Sequence, residues 1–432
     1  MNFYNLKHKE EQLNFKEATI KGQGKDKGLF FPEDISKFSP EFLKNLPNLS
    51  DEEIAYQVMK DFAGNEIPEA ELRKIVAETI AFEIPLKKVT ENISVLELFH
   101  GPTLAFKDVG ARFMSRCLGY FLKNETRKVT VLVATSGDTG GAVANGFYDV
   151  EGIEVVILYP KNRVSPVQEK QLTALGKNIH ALEVNGSFDD CQALVKQAFS
   201  DESLNEELLL TSANSINVAR WLPQQIYYVL ALKQWLKINS ENPVICVPSG
   251  NFGNICAGIL AHHRGLPVEH FIAACNVNDV VPEYLRTEIL QPKETVATIS
   301  NAMDVGDPSN FVRILELFDK EFNQVKNKLS GYTIDDEETL KTIERVEKDY
   351  GYVLDPHGAV AFVALEKYLT ENDGKGFFLE TAHPVKFPDS VEQATGKSVE
   401  IPKSLEELMK QEKFTTEINP QYEELKEFLL KK

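Results

Sequence analysis

The chain has 432 residues, room for two or three domains at ~150 residues each. Hydrophobic residues make up 43% and charged residues 26%, an ordinary globular composition with enough apolar mass for a large core. A formal net charge of −18 disfavours nucleic acid and anionic membrane as partners, while leaving room for a locally basic pocket.

The N-terminal stretch MNFYNLKHKEEQLNFKEA is charged and lacks the apolar run of a secretory signal. SPEFLKNL, SDEEIAYQVMKDFAG and PEAELRKIVAETIAF then open on a cap or Pro and carry apolar residues at helical spacing. Residues 1 to about 92 therefore read as short helices and loops. From ISVLELF the texture changes. KVTVLVATSGDTG is a β-rich run ending in a Gly-rich turn. IEVVILYP, NIHALEVNG, ELLLTSANS, PVICVPSG and HFIAACN follow, alternating with helix-length segments such as FDDCQALVKQAF and NFGNICAGILAHHRG. That alternation is the sign of a parallel sheet with crossover helices. Beyond about residue 280 the pattern turns helical, with DEETLKTIERVEKDYG and HGAVAFVALEKYL. One more strand, KGFFLETA, and a charged helical tail complete the chain. No internal repeat is evident, and no apolar run is long enough to span a bilayer. Five cysteines, Cys117, Cys191, Cys246, Cys256 and Cys275, show no C-x-x-C pair. An odd count without that spacing argues for a reducing compartment, so the cytoplasm is the expected setting.

Three strand-to-helix turns are polar and Gly-rich, in the place where open α/β sheets bind ligands. TSGDTGG, Thr135 to Gly141, offers hydroxyls at Thr135, Ser136 and Thr139 that suit a carboxylate. PSGNFGN, Pro248 to Asn254, combines glycines and asparagines that can wrap phosphate oxygens at a helix start. SANSINVAR, Ser212 to Arg220, adds amides and a guanidinium suited to planar anions. Each alone reads equally well as a tight turn. A fourth segment, ELFHGPTLAFKDVGARFM, sets Lys107 at a helix start among Leu104, Ala105, Phe106, Val109, Phe113 and Met114. The positive end of the helix dipole favours Asp108 there, not a lysine. By residue type alone Lys107 is a snorkelling surface residue. Beside two anion cradles it reads as a buried amine of lowered pKa, able to form a Schiff base with an aldehyde. Pyridoxal phosphate is such an aldehyde and carries a phosphate. His100 and His383 flank these motifs and titrate near neutrality, though packing beside the pocket explains both. His357, after Asp355 and Pro356, reads as part of a helix cap. No cluster has metal-ligand spacing, and no Walker motif or G-x-S-x-G elbow is present.

The motifs resemble those of the threonine synthase family, in its longer bacterial and fungal type. ELFHGPTLAFKD, ATSGDTGGA, KNRVSPVQEKQL, ANSINVAR, PSGNFGN, AMDVGDPSN and ETAHPVKF occur in the family's order, and the likeness runs from about residue 3 to 395. Two departures stand out. Lys27 in GKDKGLFFPED replaces an expected Gly, and Asp138 stands where shorter members carry Asn. The resemblance implies an α/β protein of fold type II among pyridoxal phosphate enzymes, tryptophan-synthase-β-like, with two parallel-sheet subdomains. Residues 1–92 would form a helical N-terminal region, 93–128 and 238–395 the large cofactor-binding subdomain, 129–237 the smaller one, and 396–432 a helical tail. Lys107 would carry pyridoxal 5'-phosphate and shuttle protons. Gly250, Asn251, Phe252, Gly253 and Asn254 would cradle its phosphate, Thr381 would face the pyridine nitrogen, and Asp138 would contact the ring. Ser136 and Thr139 would hold the substrate, with Asn214, Ser215 and Arg220 nearest its phosphate. The implied reaction takes O-phospho-L-homoserine and water to L-threonine and phosphate, in a monomer or homodimer with no nucleic-acid or membrane partner.

Rival readings are a phospholyase or amino-acid dehydratase of the same fold, a pyridoxal-phosphate-binding protein without catalysis, and a nucleotide-binding protein using PSGNFGN. The long N-terminal region and ANSINVAR favour the synthase over the first. Intact Lys107 and cradles disfavour the second. The third lacks a Walker lysine or an acidic ribose partner.

Overall fold

Fourteen short runs of extended chain assemble into three sheets in the computed structural model, which describes residues 1–123, 128–135 and 137–431. The N-terminal region, expected to be helical, also carries a small antiparallel sheet. There β1 (Asn2–Asn5) lies between β2 (Gln12–Asn14) and β3 (Phe30–Pro32). Strands of three or four residues hold too little alternation to be read from sequence. The helices Pro40–Asn45 and Asp51–Ala63 begin as their caps predict: the Ser39 and Ser50 hydroxyls accept the Phe42 and Glu53 amides at 3.1 Å.

β4 (Leu86–Lys88) and β5 (Ile93–Glu97) belong to a large sheet. β6 (Val129–Ala134), β7 (Ile153–Pro160), β8 (Ile179–Val184) and β9 (Leu209–Thr211) build a smaller one. The chain returns to the large sheet with β10 (Val244–Pro248), β11 (His270–Cys275), β12 (Leu329–Thr333) and β13 (Gly376–Glu380). The large sheet runs β12-β11-β10-β13-β5-β4 and is parallel except at β4. The tail, read as helical, contributes β14 (Thr415–Ile418) as well as two helices, and the small sheet runs β14-β8-β7-β6-β9, all parallel. Ile418, Leu425 and Leu429 of the tail bury against Leu182 and Val184.

Strands such as VTVLVA, VICVP and HFIAAC are apolar on both faces because helices cover both sides. Helix Lys107–Leu122 shares one core with both sheets: Val109, Phe113, Met114 and Cys117 join Val131 and Val133 of β6 and Ile245 and Val247 of β10. A Cβ on Gly146 would lie 3.0 Å from the Ala111 carbonyl carbon, so this glycine lets helix Asp138–Phe147 pack directly on it. The starts of the two helices, Lys107 and Asp138, become neighbours. All five cysteines are free and buried. Among the described residues no helix is long and apolar enough to cross a membrane.

Candidate active site

β10, β13 and β5 are adjacent and parallel, so their carboxyl ends open at one edge. β10 runs into the Gly250–Asn254 turn, β13 into Thr381, and β5 into the loop that ends at Lys107. From the small sheet, β6 leads to Asp138 and β9 to the Ser212–Arg220 turn. The Lys107 loop is laced to the exit of β13. Leu98 N–H donates to Glu380 O (2.9 Å), Phe106 N–H to Thr381 O (2.9 Å) and His383 N–H to Leu104 O (3.0 Å). Buried Asp108 closes the loop on itself, accepting the Thr103 amide at 2.9 Å and its hydroxyl at 2.5 Å. The Tyr227 hydroxyl donates to Phe106 O.

Lys107 is the first residue of its helix, and its side chain is 18% exposed. Its Nζ lies 3.7 Å from Asp138 Oδ2 and over the Phe106 ring. Burial holds its pKa below the usual lysine value, aided by the positive charges of Lys386 and Arg220 and opposed by Asp138. Asp138 is also buried, which alone would push its carboxyl up. The charges of Lys386 and Lys107 outweigh that, and with hydrogen bonds from Lys386 and Gln168 they hold it well below the usual carboxylate range. Lys386 Nζ sits 2.7 Å from Asp138 Oδ1, and Gln168 Nε2 donates to the same oxygen at 2.9 Å.

The Gly250–Asn254 turn is shaped by packing. A Cβ on Gly250 would lie 2.6 Å from Met303 Cα, and one on Gly253 would lie 3.3 Å from Ser215 Cβ. Phe252 adopts φ +60° to start helix Gly253–His263. Asn254 Oδ1 accepts the Tyr228 hydroxyl at 2.7 Å, while its buried Nδ2 has no partner among the described residues. Asn251 Nδ2 and Asn310 Nδ2 both donate to Ser215 Oγ, at 3.0 and 3.1 Å, so Ser215 lies against this turn. Behind it Arg313 is fully buried. It donates to Asn310 Oδ1 (2.7 Å), Ile216 O (2.7 Å), Ser215 O (3.2 Å) and Phe30 O (3.0 Å), and burial lowers its pKa to about 9.

Arg220 is 3% exposed and stands beside Gly110, one turn along from Lys107: a Cβ there would be 3.1 Å from Arg220 Nε. Its Nη1 donates to Ala213 O at 2.5 Å, and its Nε has no partner among the described residues. Burial lowers its pKa to about 10 against the pull of Tyr227 and Asp108. Thr139 and Asn214 are half-buried, the latter bonded through its backbone to Ser212 Oγ and the Asn217 amide. Ser136 lies outside the described residues. The Thr381 hydroxyl is nearly buried and makes no hydrogen bond among the described residues.

The histidines separate. His100 Nε2 is 2.6 Å from Glu97 Oε2, in a cluster with Lys87 and Tyr352. His383 Nδ1 accepts the Val385 amide at 3.1 Å, and burial, with His100 nearby, lowers its pKa to about 4. His357 does more than cap. Its Nε2 accepts the Ala302 amide at 3.2 Å, so Nδ1 carries the proton and donates to Asp355 Oδ1 at 2.6 Å. The ring props the Asn301–Met303 turn that roofs Gly250.

Lys386, Gln168, Asn310 and Arg313 escaped the sequence reading. The first three lie inside ETAHPVKF, KNRVSPVQEKQL and AMDVGDPSN, motifs that carried the family resemblance without suggesting a task for these side chains.

Comparison with known proteins adds independent findings. The family model described as pyridoxal-phosphate dependent enzyme matches residues 80–376, threonine synthase N terminus matches 2–80, and threonine synthase C-terminal matches 358–429. The chain is similar to threonine synthase of Haemophilus influenzae, 45% identical over 431 residues and 100% of both chains. It superposes on the crystal structure of threonine synthase from Escherichia coli with TM-score 0.92 and 44% identity over 100% of both chains. On the pyridoxal-phosphate-bound threonine synthase from Brucella melitensis the TM-score is 0.94 at 35% identity, covering 100% of this chain and 99% of that one.

Proposed function

The chain belongs to the threonine synthase family of pyridoxal-phosphate-dependent enzymes, and we propose that its substrate is O-phospho-L-homoserine, with Lys107 as the cofactor-bearing residue. It is a fold type II lyase of threonine biosynthesis that uses pyridoxal 5'-phosphate. Its cellular setting is the cytoplasm, as monomer or homodimer. The residues fit a phosphorylated aldehyde. The Gly250–Asn254 turn opens helix Gly253–His263, where an anion is favoured, Asn254 Nδ2 is a buried donor with no partner among the described residues, Lys107 is an amine of lowered pKa, and the Thr381 hydroxyl makes no hydrogen bond among the described residues. Gly250, Asn251, Phe252, Gly253 and Asn254 would hold the phosphate, Thr381 the pyridine nitrogen, and Asp138 the ring.

When bound, pyridoxal phosphate supplies the electron sink for carbanion character next to the substrate amine. Lys107 Nζ removes the proton from the substrate Cα and moves a proton at Cβ, a role that needs an unprotonated amine rather than an ammonium. Arg220 binds the phosphoryl oxygens, with Asn214 and Ser215 beside it, and stabilises the charge that develops as phosphate leaves Cγ. Ser136 and Thr139 hold the substrate carboxylate. The proton lost from Cβ is made good at Cγ, which becomes the methyl group; water then adds at Cβ, and Lys107 returns a proton to Cα.

The single observation that carries this reading is Lys107: a largely enclosed amine at a helix start, its pKa lowered by burial and by Lys386 and Arg220 against the pull of Asp138. Lys107→Ala should fold, as judged by circular dichroism, yet lose both the near-visible absorbance of the holoenzyme and all turnover. Retention of either removes Lys107 from the role. Wild-type enzyme should release phosphate and threonine in equal amounts; phosphate with 2-oxobutyrate would instead make it a phospholyase.

A further inference from the structure

The two oxygens of Asp138 face different lysines. Oδ1 takes two donors, Lys386 Nζ at 2.7 Å and Gln168 Nε2 at 2.9 Å, whereas Oδ2 is 3.7 Å from Lys107 Nζ. Lys386 has no exposed surface. Its other contact is Thr103 O at 2.8 Å, in the turn that leads to Lys107, and Gln171 Nε2 braces the same carbonyl at 3.0 Å.

We infer that Lys386 is a positioning residue for cofactor attachment: by holding Asp138 it leaves Lys107 a free amine. The inference rests on the role of Lys107 proposed above. In that attachment Lys107 Nζ bonds to the aldehyde carbon, and the carbonyl oxygen leaves as water carrying both amine protons. Nothing is oxidised or reduced, but the nitrogen must bring a lone pair, which an ammonium lacks. Three charged groups from other elements face Lys107: Asp138 from helix Asp138–Phe147, Lys386 from the Pro384–Lys386 turn, and Arg220 from helix Val218–Trp221. On its own helix, Asp108 is turned to Thr103. Asp138 is thus the group that would keep Lys107 protonated. A carboxylate without a second cation would close on the nearest ammonium, and the site would hold a salt bridge in place of a nucleophile. Lys386 prevents this chiefly by engaging the carboxylate, and its own charge, repelling a second positive one, adds a smaller part.

The test uses full-length protein freed of cofactor and mixed with pyridoxal phosphate over a pH series. The rate of appearance of the near-visible band is recorded, and the linkage is trapped with borohydride for peptide mapping. The pH midpoint of that rate reports Lys107. Lys386→Met should raise the midpoint by about one unit or more, the scale set by an opposite charge at close range. Lys386→Arg should restore most of the wild-type value. Asp138→Asn should lower the midpoint, and in that background Lys386→Met should have a much smaller effect. A merely structural Lys386 would change the amplitude and thermal stability and leave the midpoint in place. An unmoved midpoint in Lys386→Met, with label still on Lys107, overturns the inference, as does an equally large shift in the Asp138→Asn background. If Lys386→Met does not fold, an Asp138→Asn protein whose midpoint fails to fall is sufficient to overturn it. Label on a different lysine in wild-type protein overturns the Lys107 reading itself.

Discussion

Arg220 is a buried charge that the protein leaves without a counter-ion. Among the described residues no carboxylate lies within ion-pair distance, its Nε is unpartnered, and its side chain is 3% exposed. A guanidinium held this way is costly unless an anion completes it. Arg220→Met should therefore raise KM for O-phospho-L-homoserine tenfold or more, from the loss of a charged hydrogen bond of about 1.5–3 kcal/mol. Inhibition by unphosphorylated L-homoserine should change little, and Arg220→Lys should fall between. Equal weakening for both ligands would move Arg220 away from the leaving group. Arg220 and Lys107 stand out as candidates because local sequence marks them: each is a cation set among apolar or turn residues at a helix start. Lys386 was not. Its meaning depends on Asp138 and on Thr103, 283 residues away, and HPVKF alone contains nothing that distinguishes a buried lysine from a surface one. Arg313 reads locally as one more charge on a helix, and only its carbonyl partners from two distant segments, Phe30 and Ser215–Ile216, reveal its task.

At the scale of elements, the sequence declared the parallel sheets because their strands are long apolar runs spaced by helices. It concealed β1 to β4 and β14, whose three or four residues do not establish a period, and β12, whose five residues lie in the stretch beyond 280 that was expected to be helical. It also concealed how the candidate phosphate turn is roofed. The Asn301–Met303 turn passes over Gly250, and His357, at the start of helix Pro356–Glu371, holds that turn through the Ala302 amide. The roof is backbone rather than a flexible side chain, so it yields little. Gly250→Ala would set a methyl 2.6 Å from Met303 Cα and 3.1 Å from Ala302 O. Overpacking of this kind typically costs about 1–3 kcal/mol. The expected outcome is a pyridoxal phosphate dissociation constant raised about tenfold, measured by near-visible titration of cofactor-free protein, with the fold retained. Gly351→Ala is the control for cost without proximity, since nothing lies within 4 Å of the added atom although its φ of +67° is strained. It should lower thermal stability and leave cofactor affinity unchanged. Equal affinity in the Gly250 variant would place the cofactor's phosphate elsewhere.

The whole molecule carries a pH dependence that the site alone does not set. Burial lowers the pKa of His263, His270 and His383 from 6.5 to about 4 in each case. A histidine held neutral in the folded chain takes up its proton first when unfolded, so the unfolded state binds more protons between pH 6.5 and 4. Stability from these groups is complete above 6.5 and is lost as pH falls toward 4, with a slope of at most about 1.4 kcal/mol per unit for each. Asp108 and Glu380 act in the opposite sense. Burial raises both, and their stabilising effect declines as pH rises. A total pH profile therefore mixes opposing contributions, and a difference between two proteins is needed to isolate one. His270 offers it, being far from the proposed chemistry, on β11, with Nε2 2.8 Å from Ser330 Oγ and its ring stacked on Tyr368 at 5.1 Å. His270→Gln can keep a hydrogen bond to Ser330 but has no proton to gain. Urea unfolding of both proteins at pH 8, 6.5, 5.5 and 4.5 should show the variant less stable at pH 8, where it lacks the ring's packing, with the gap closing as pH falls. Parallel curves would mean that His270 titrates alike in the folded and unfolded chain, and the acid sensitivity would then belong to the other buried histidines.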